Sequence, residues 1–145
     1  MPLILPSLMH PEPVPTQWMG AHQVALSILR LDKIHPLVSG NKWLKLCGWI
    51  AAAGHHHYQG LLTLGGPWSN HVHAAAAYCH ANNWRFHAII KGHNHQLTPM
   101  LQDVLNWGGT ISWVQKNAFY QPQNWVQLAA EEGLLYVPMG GDSAA

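Results

Sequence analysis

The sequence predicts an α/β domain, a parallel sheet with flanking helices. Two observations lead there. Between Gly60 and Val137, short apolar runs alternate with helix-like stretches at close intervals. The junctions between them carry glycine, proline or a hydroxyl side chain suited to capping a helix. Strand, helix and strand in quick succession mean parallel strands joined by right-handed crossovers.

Each element has its own signal. Residues 1–20 are rich in proline and read as irregular, and Val24 to Leu31 reads as a strand. Asp32 to Gly40 is a loop. Asn41 is placed to cap a helix over Lys42 to Ala53, where Trp43, Leu46, Cys47 and Ile50 recur at helical spacing. Gly54 closes that helix. Gly60 to Leu64 is a short buried strand, and Gly65-Gly66-Pro67 turns the chain. Ser69 then caps a helix from about Asn70 to Ala81.

Trp84 to Ile90 reads as the next strand. Thr98 caps a helix running to about Trp107, and Gly108-Gly109 turns into a strand over Thr110 to Val114. Pro122 opens a helix to Glu132 at a first-turn position where its missing N–H costs nothing. Gly133 stops it, and Leu134 to Val137 is a last strand. The final stretch, Pro138 to Ala145, reads as a turn leading into a further helix, so the sequence looks like the front part of a longer protein.

Composition narrows the function. The chain has 145 residues, a length that buries roughly 68–70% of the unfolded surface. Charged residues are only 9% of it, against about 25% in ordinary domains. The formal net charge of +1 and the lack of a basic stripe argue against nucleic-acid binding. A surface this poor in charge suggests cover by another chain or domain. Cys47 and Cys79 form no CxxC pair and read as buried free thiols in a reducing compartment. The N-terminal segment lacks a basic leader pattern and no apolar run reaches 18 residues, so neither a secretory signal nor a membrane span is expected. The cytoplasm is the expected location.

Two runs carry the candidate chemistry. One is Ser39-Gly40-Asn41-Lys42-Trp43-Leu44-Lys45-Leu46, and the other is Gly65-Gly66-Pro67-Trp68-Ser69-Asn70-His71-Val72-His73. Lys42 follows a glycine turn, sits beside an aromatic ring, and is one of only five lysines. Such an amine can bond covalently to a carbonyl carbon. Lys45, three residues on, supplies either charge repulsion or plain solubility. Ser69, Asn70 and His71 open a helix, where free N–H groups and the helix dipole favour a carboxylate or phosphate. The plain alternative is that Ser69 only caps the helix.

The twelve histidines include His55-His56-His57 and the pair His93 and His95. No HExxH or Cys/His ligand spacing accompanies them, so no dedicated metal site is expected. Most of these imidazoles read as stand-ins for charged surface groups. The tryptophans read as core or interface packing, although Trp43 and Trp68 border the two motifs.

Taken together, HPLVSGNKWLKL, LLTLGGPWSNHVHAAAA and VPMGG resemble the 1-aminocyclopropane-1-carboxylate deaminase and D-cysteine desulfhydrase family. That resemblance runs from about Leu29 to the C-terminus. It implies a pyridoxal-phosphate-dependent enzyme of the tryptophan synthase β-like fold (fold type II), present here as its N-terminal half. Under it, Lys42 is the cofactor-bearing catalytic lysine and Asn70 bonds the cofactor's phenolic oxygen. Ser69 and the backbone around Asn70 and His71 then contact the substrate carboxylate. The reaction implied turns a small amino acid into a 2-oxo acid and ammonia.

The resemblance also implies a domain plan and a partner. Residues 1–47 would open the large cofactor domain, 48–137 would form the small α/β domain, and 138–145 would start the second half. A homodimer is the expected assembly, with no nucleic-acid or membrane partner. Three positions depart from the family pattern: Leu44 replaces an arginine, Lys91 precedes Gly92 where arginine is common, and Met139 replaces a glutamate. No glycine-serine-threonine-rich phosphate loop is present, so this chain alone is expected to be inactive. The competing expectation is a histidine-rich α/β module that binds a metal or a partner without catalysis.

Overall fold

The computed structural model describes residues 10–15, 24–34, 37–38, 40–53, 58–92 and 96–142. The expectations for Ser39, the closing Gly54, His55 to His57, His93 and His95 lie outside these residues.

Four parallel strands form the centre. They are β3 (Gly60–Gly65), β4 (Arg85–Lys91), β5 (Thr110–Val114) and β6 (Leu135–Val137), in spatial order β5-β4-β3-β6. Two shorter strands, β1 (Pro11–Pro13) and β2 (Ser27–Leu29), pair antiparallel beside them in sequence but form a separate sheet. The strand expected over Val24 to Leu31 is thus cut to three residues. Its partner is a Pro-Glu-Pro segment whose two prolines have no N–H to donate. The irregularity expected for residues 1–20 is interrupted at the same place.

Five α-helices, α1 (Asn41–Ala53), α2 (Asn70–Ala81), α3 (Pro99–Asn106), α4 (Lys116–Phe119) and α5 (Pro122–Glu132), and two 3-10 turns, Leu31–Lys33 and Met139–Gly141, complete the described fold. Ser69 Oγ accepts the N–H of Val72 at the start of α2, and Thr98 Oγ1 accepts that of Leu101 at the start of α3. Gly133 ends α5 in the left-handed region, with φ 67°, where a side chain would clash with its own backbone. The short α4 carries no periodic signal in the sequence.

Side-chain alternation along each strand divides the interior in two. Leu61, Phe86, Ala88, Ile90, Leu135 and Val137 face one way, into a core shared with Trp43, Leu46 and the alanine-rich α2. Leu62, Leu64 and Ile89 face the other way, toward Phe119, Trp125 and Ala129 of α4 and α5. Helices therefore cover both faces, as a parallel sheet requires. The run Ala74-Ala75-Ala76-Ala77 gives α2 a small-residue surface, which lets it lie close on β3 and β4.

The strand order sets the position of the site. From β3 the chain passes through α2 to β4 and through α3 to β5, moving steadily outward. It then returns past β3 through α5 and places β6 on the other side. The order reverses between β3 and β6. In open α/β sheets the crevice beyond the C-terminal strand ends at such a reversal is where ligands bind. No described helix is long and apolar enough to cross a membrane.

Candidate active site at the strand reversal

Both sequence motifs converge on that crevice. The turn after β3, Gly65 to Ser69, delivers the start of α2. Gly65 is fixed there by sterics: a Cβ on it would fall 2.5 Å from Val72 Cγ2 and 2.7 Å from Ser69 Cβ and Oγ. Nothing lies within 4 Å of the corresponding point on Gly66. The turn after β6, Met139–Gly141, faces it from the other strand. Helix α1 (Asn41–Ala53) packs against this second turn and against α2, and brings Lys42 to Gly140.

Lys42 and Asn70 line one cleft of about 310 Å³, together with Gly40, Asn41, His73 and Ala74. The Lys42 ammonium hangs over the Gly140-Gly141 turn, 4.0 Å from where a Cβ on Gly140 would stand. Asn70 is exposed at the head of α2, and Lys42 is half-buried. Ser69 stands at the base of the same helix with its Oγ turned to the Val72 N–H at 3.3 Å, and it does not line the cleft. The N–H groups of Asn70 and His71 belong to the first turn and have no acceptor within the helix.

His71 occupies a different position from the one its place in the motif suggests. Its side chain is only 2% exposed, and Nε2 lies 2.9 Å from Thr63 Oγ1. Thr63 in turn donates its hydroxyl hydrogen to the carbonyl of Val137 at 2.7 Å. The hydroxyl has one hydrogen, already given, so His71 Nε2 must be the donor to Thr63 and Nδ1 carries a lone pair. Nδ1 finds no partner among the described residues, and Gly141 closes over it. Burial, then the Lys42 and Lys45 ammonium groups, push the imidazole down to about 4. It is neutral at physiological pH, and only its backbone is free to meet an anion.

Lys45 is paired with Asp142. That bond, and the charge behind it, hold the Asp142 carboxyl below its usual range. The indole N–H of Trp49 donates to the carbonyl of Gly141 at 3.2 Å. Helix α1 is thus tied at two points to the glycine turn. Leu44, the first departure from the family pattern, is exposed beside this tie and lines a broad groove of about 780 Å³ with Lys45 and Trp49. Lys91, the second departure, donates to Tyr120 Oη at 3.0 Å, away from the cleft.

Among the described residues His10 and His80 are exposed, as stand-ins for surface charge would be, and three other imidazoles are not. His71 is buried, His73 bonds Asp103 at 2.9 Å, and His87 bonds Glu132 at 3.0 Å. These three imidazoles are internal hydrogen-bonding groups. Among the described residues no three metal-capable side chains converge. Trp43 is fully buried, as packing predicts, whereas Trp68 is 69% exposed beside the site. Cys79 is buried and Cys47 half-buried, both as free thiols, and burial pushes Cys79 up to about 12. The contacts Thr63–His71 and Lys45–Asp142 had no signal in the sequence, because each joins residues that only the folded sheet brings together.

No family model matches the chain, and no curated protein matches it in sequence. Solved structures do resemble it. A homologue of 1-aminocyclopropane-1-carboxylate deaminase superposes with a TM-score of 0.74 at 20% identity, over 93% of this chain and 43% of that one. A hydrogen sulfide-producing enzyme from Fusobacterium nucleatum gives 0.59 at 12% identity, over 90% of this chain and 42% of that one. A pyridoxal 5′-phosphate-dependent aspartate racemase gives 0.50 at 16% identity, over 66% of this chain and 28% of that one. The chain spans less than half the length of each. It has, over that part, the α/β fold of the pyridoxal-phosphate-dependent enzymes of fold type II.

Proposed function

We propose that this chain supplies the lysine-bearing part of a pyridoxal-phosphate-dependent enzyme acting on a small amino acid. The substrate class is a 1-aminocyclopropane-1-carboxylate-like or D-cysteine-like amino acid, and the products are a 2-oxo acid and ammonia. One observation carries the reading: Lys42 and Asn70, from separate motifs, line one cleft at the strand reversal. Support also comes from the neighbours, one described as a deaminase homologue and one as producing hydrogen sulfide.

The residues present suit the group. Lys42 offers an amine for its aldehyde, and the Asn70 amide offers a donor for its phenolic oxygen. The bare N–H groups of Asn70 and His71, with the helix dipole, offer a cradle for the substrate carboxylate. Ser69 holds that helix end in shape by accepting the Val72 N–H, and a contact from its hydroxyl to the substrate carboxylate belongs to the same proposal. When bound, pyridoxal phosphate supplies the electron sink. Lys42 is the group that takes and returns a proton at its Nζ. Placed proton transfer of this kind contributes ~10²–10⁴-fold to rate.

The domain plan belongs to the same proposal. Residues 1–47 go with a larger domain, 48–137 with a smaller one, and 138–145 lead into a second half. Position 48 falls inside α1, which makes that helix the link between the two. A cytoplasmic homodimer is the assembly that goes with this enzyme class. The chain spans 43% of the deaminase homologue's length, and the same proposal has it turn nothing over by itself.

Titrating the purified chain with pyridoxal phosphate tests the reading. A saturable absorption band that disappears in Lys42→Ala, with no sulfide released from D-cysteine, is the expected result. Identical spectra for the two proteins would count against the cofactor role. Sulfide release by the chain alone would contradict its inactivity.

A further inference from the structure

A second cluster of reactive side chains lies on the opposite face of the sheet, away from Lys42. His87 in β4 and Ser112 in β5 both point toward α5, like Ile89 and Val114 on the same strands. Ser112 Oγ lies 2.9 Å from His87 Nε2. His87 Nδ1 lies 3.0 Å from both carboxylate oxygens of Glu132, the last residue of α5.

Proton bookkeeping fixes the roles. An ionised carboxylate only accepts, so Nδ1 carries the hydrogen and donates to Glu132. The neutral ring then has its lone pair on Nε2, and the Ser112 hydroxyl donates to it. Hydroxyl, imidazole and carboxylate are in the order that activates a serine nucleophile, an arrangement recognised by geometry rather than by chain position. The side chain of His87 is 12% exposed, so the carboxylate acts on it with little screening.

A cleft of about 390 Å³ opens beside the three groups, lined also by Arg85, Gly108 and Thr110. The Arg85 guanidinium donates to the Glu132 carbonyl, which holds the end of α5 in place. It has five N–H donors in all, and it is the positive charge within this cleft. A clasp between α5 and the sheet needs His87 and Glu132. It does not need a hydroxyl bonded to the far nitrogen at an open cleft.

We propose that Ser112, His87 and Glu132 form an acyl-transfer site that takes carboxylic esters small enough to enter this cleft of about 390 Å³. Ser112 Oγ bonds the ester carbonyl carbon and its proton passes to His87 Nε2. The bond from that carbon to the alcohol oxygen breaks, and the alcohol leaves with the proton from Nε2. A water molecule then bonds the acyl carbon and gives its proton to Nε2. The bond to Ser112 Oγ breaks, Oγ recovers the proton, and the carboxylic acid departs. Glu132 steadies the charged ring, and Arg85, which lines the same cleft, is the positive charge available to the oxyanion.

The test uses the full chain and an alkyl fluorophosphonate. Labelling forms a bond from Ser112 Oγ to phosphorus, breaks the P–F bond, releases fluoride and leaves a proton on His87. Peptide mapping is expected to find the phosphonyl group on Ser112, with no label there in Ser112→Ala. His87→Ala is expected to slow the labelling by about 10²-fold or more. Glu132→Gln keeps the shape of the contact and removes its charge, so it serves if His87→Ala does not fold, and it too is expected to slow labelling. An unlabelled Ser112 in the intact chain would overturn the proposal. So would labelling at an unchanged rate in either folded variant.

Discussion

His71 donates from Nε2 to Thr63 Oγ1 across 2.9 Å, and this bond joins the head of α2 to the centre of β3. Thr63 passes the link on to Val137 in β6. The three groups therefore fix the two strands on either side of the order reversal to the helix whose first turn forms the site. Replacing Thr63 by valine keeps the shape and removes the hydroxyl. The buried His71 N–H and the Val137 carbonyl then lose their partner, at a cost of about 1–3 kcal/mol. Urea unfolding of Thr63→Val against the parent measures it, and an unchanged midpoint would mean that the relay contributes nothing.

The same histidine sets a pH dependence. Its folded value lies near 4 and its unfolded value near 6.5, so the unfolded chain takes up the proton first as pH falls. Its contribution to stability is complete above about pH 6.5 and is lost progressively down to about pH 4. A shift of that size corresponds to roughly 3 kcal/mol. The measurement is the difference in unfolding free energy between the parent and His71→Gln across this range. The difference is expected to narrow in acid, and a constant difference would contradict the buried neutral state.

Gly65 and Gly66 make a matched pair. Alanine at 65 puts a methyl 2.5 Å from Val72 Cγ2, and alanine at 66 meets nothing within 4 Å. Overpacking of the first kind costs typically 1–3 kcal/mol. Gly65→Ala is therefore expected to lower the thermal midpoint and to displace the head of α2, weakening the proposed cofactor binding as well. Gly66→Ala is expected to leave the midpoint close to that of the parent. Equal midpoints would show that the turn and helix are not packed as described.

Local signals carried most of the fold. The ends of α2, α3 and α5 follow from Ser69, Thr98, Pro122 and Gly133, because a cap or a stop acts through its neighbours in sequence. The sheet strands were legible to within a residue, since buried parallel strands are short apolar runs bounded by turns. The four-residue α4 was not, being too short for a period. The limits of β2 depend on where Pro11–Pro13 lies, which no local rule gives.

The site divides in the same way. The motifs that hold Lys42 and Asn70 were legible because each is compact and sits at a helix start, and the fold brings both side chains to one cleft. The buried state of His71 was not, because it depends on Thr63 in the neighbouring strand. Ser112 and Glu132 stand 25 and 45 residues from His87, and only the β4–β5 register and the return of α5 bring them together.

The most direct test of the central claim asks which amine meets the aldehyde. The chain is mixed with limiting pyridoxal phosphate, reduced with borohydride and digested, and the modified lysine is found by mass spectrometry. The pyridoxyl group is expected to be concentrated on Lys42, with Lys33, Lys45, Lys91 and Lys116 at background. Label spread evenly over the five lysines, or gathered on Lys45, would contradict it.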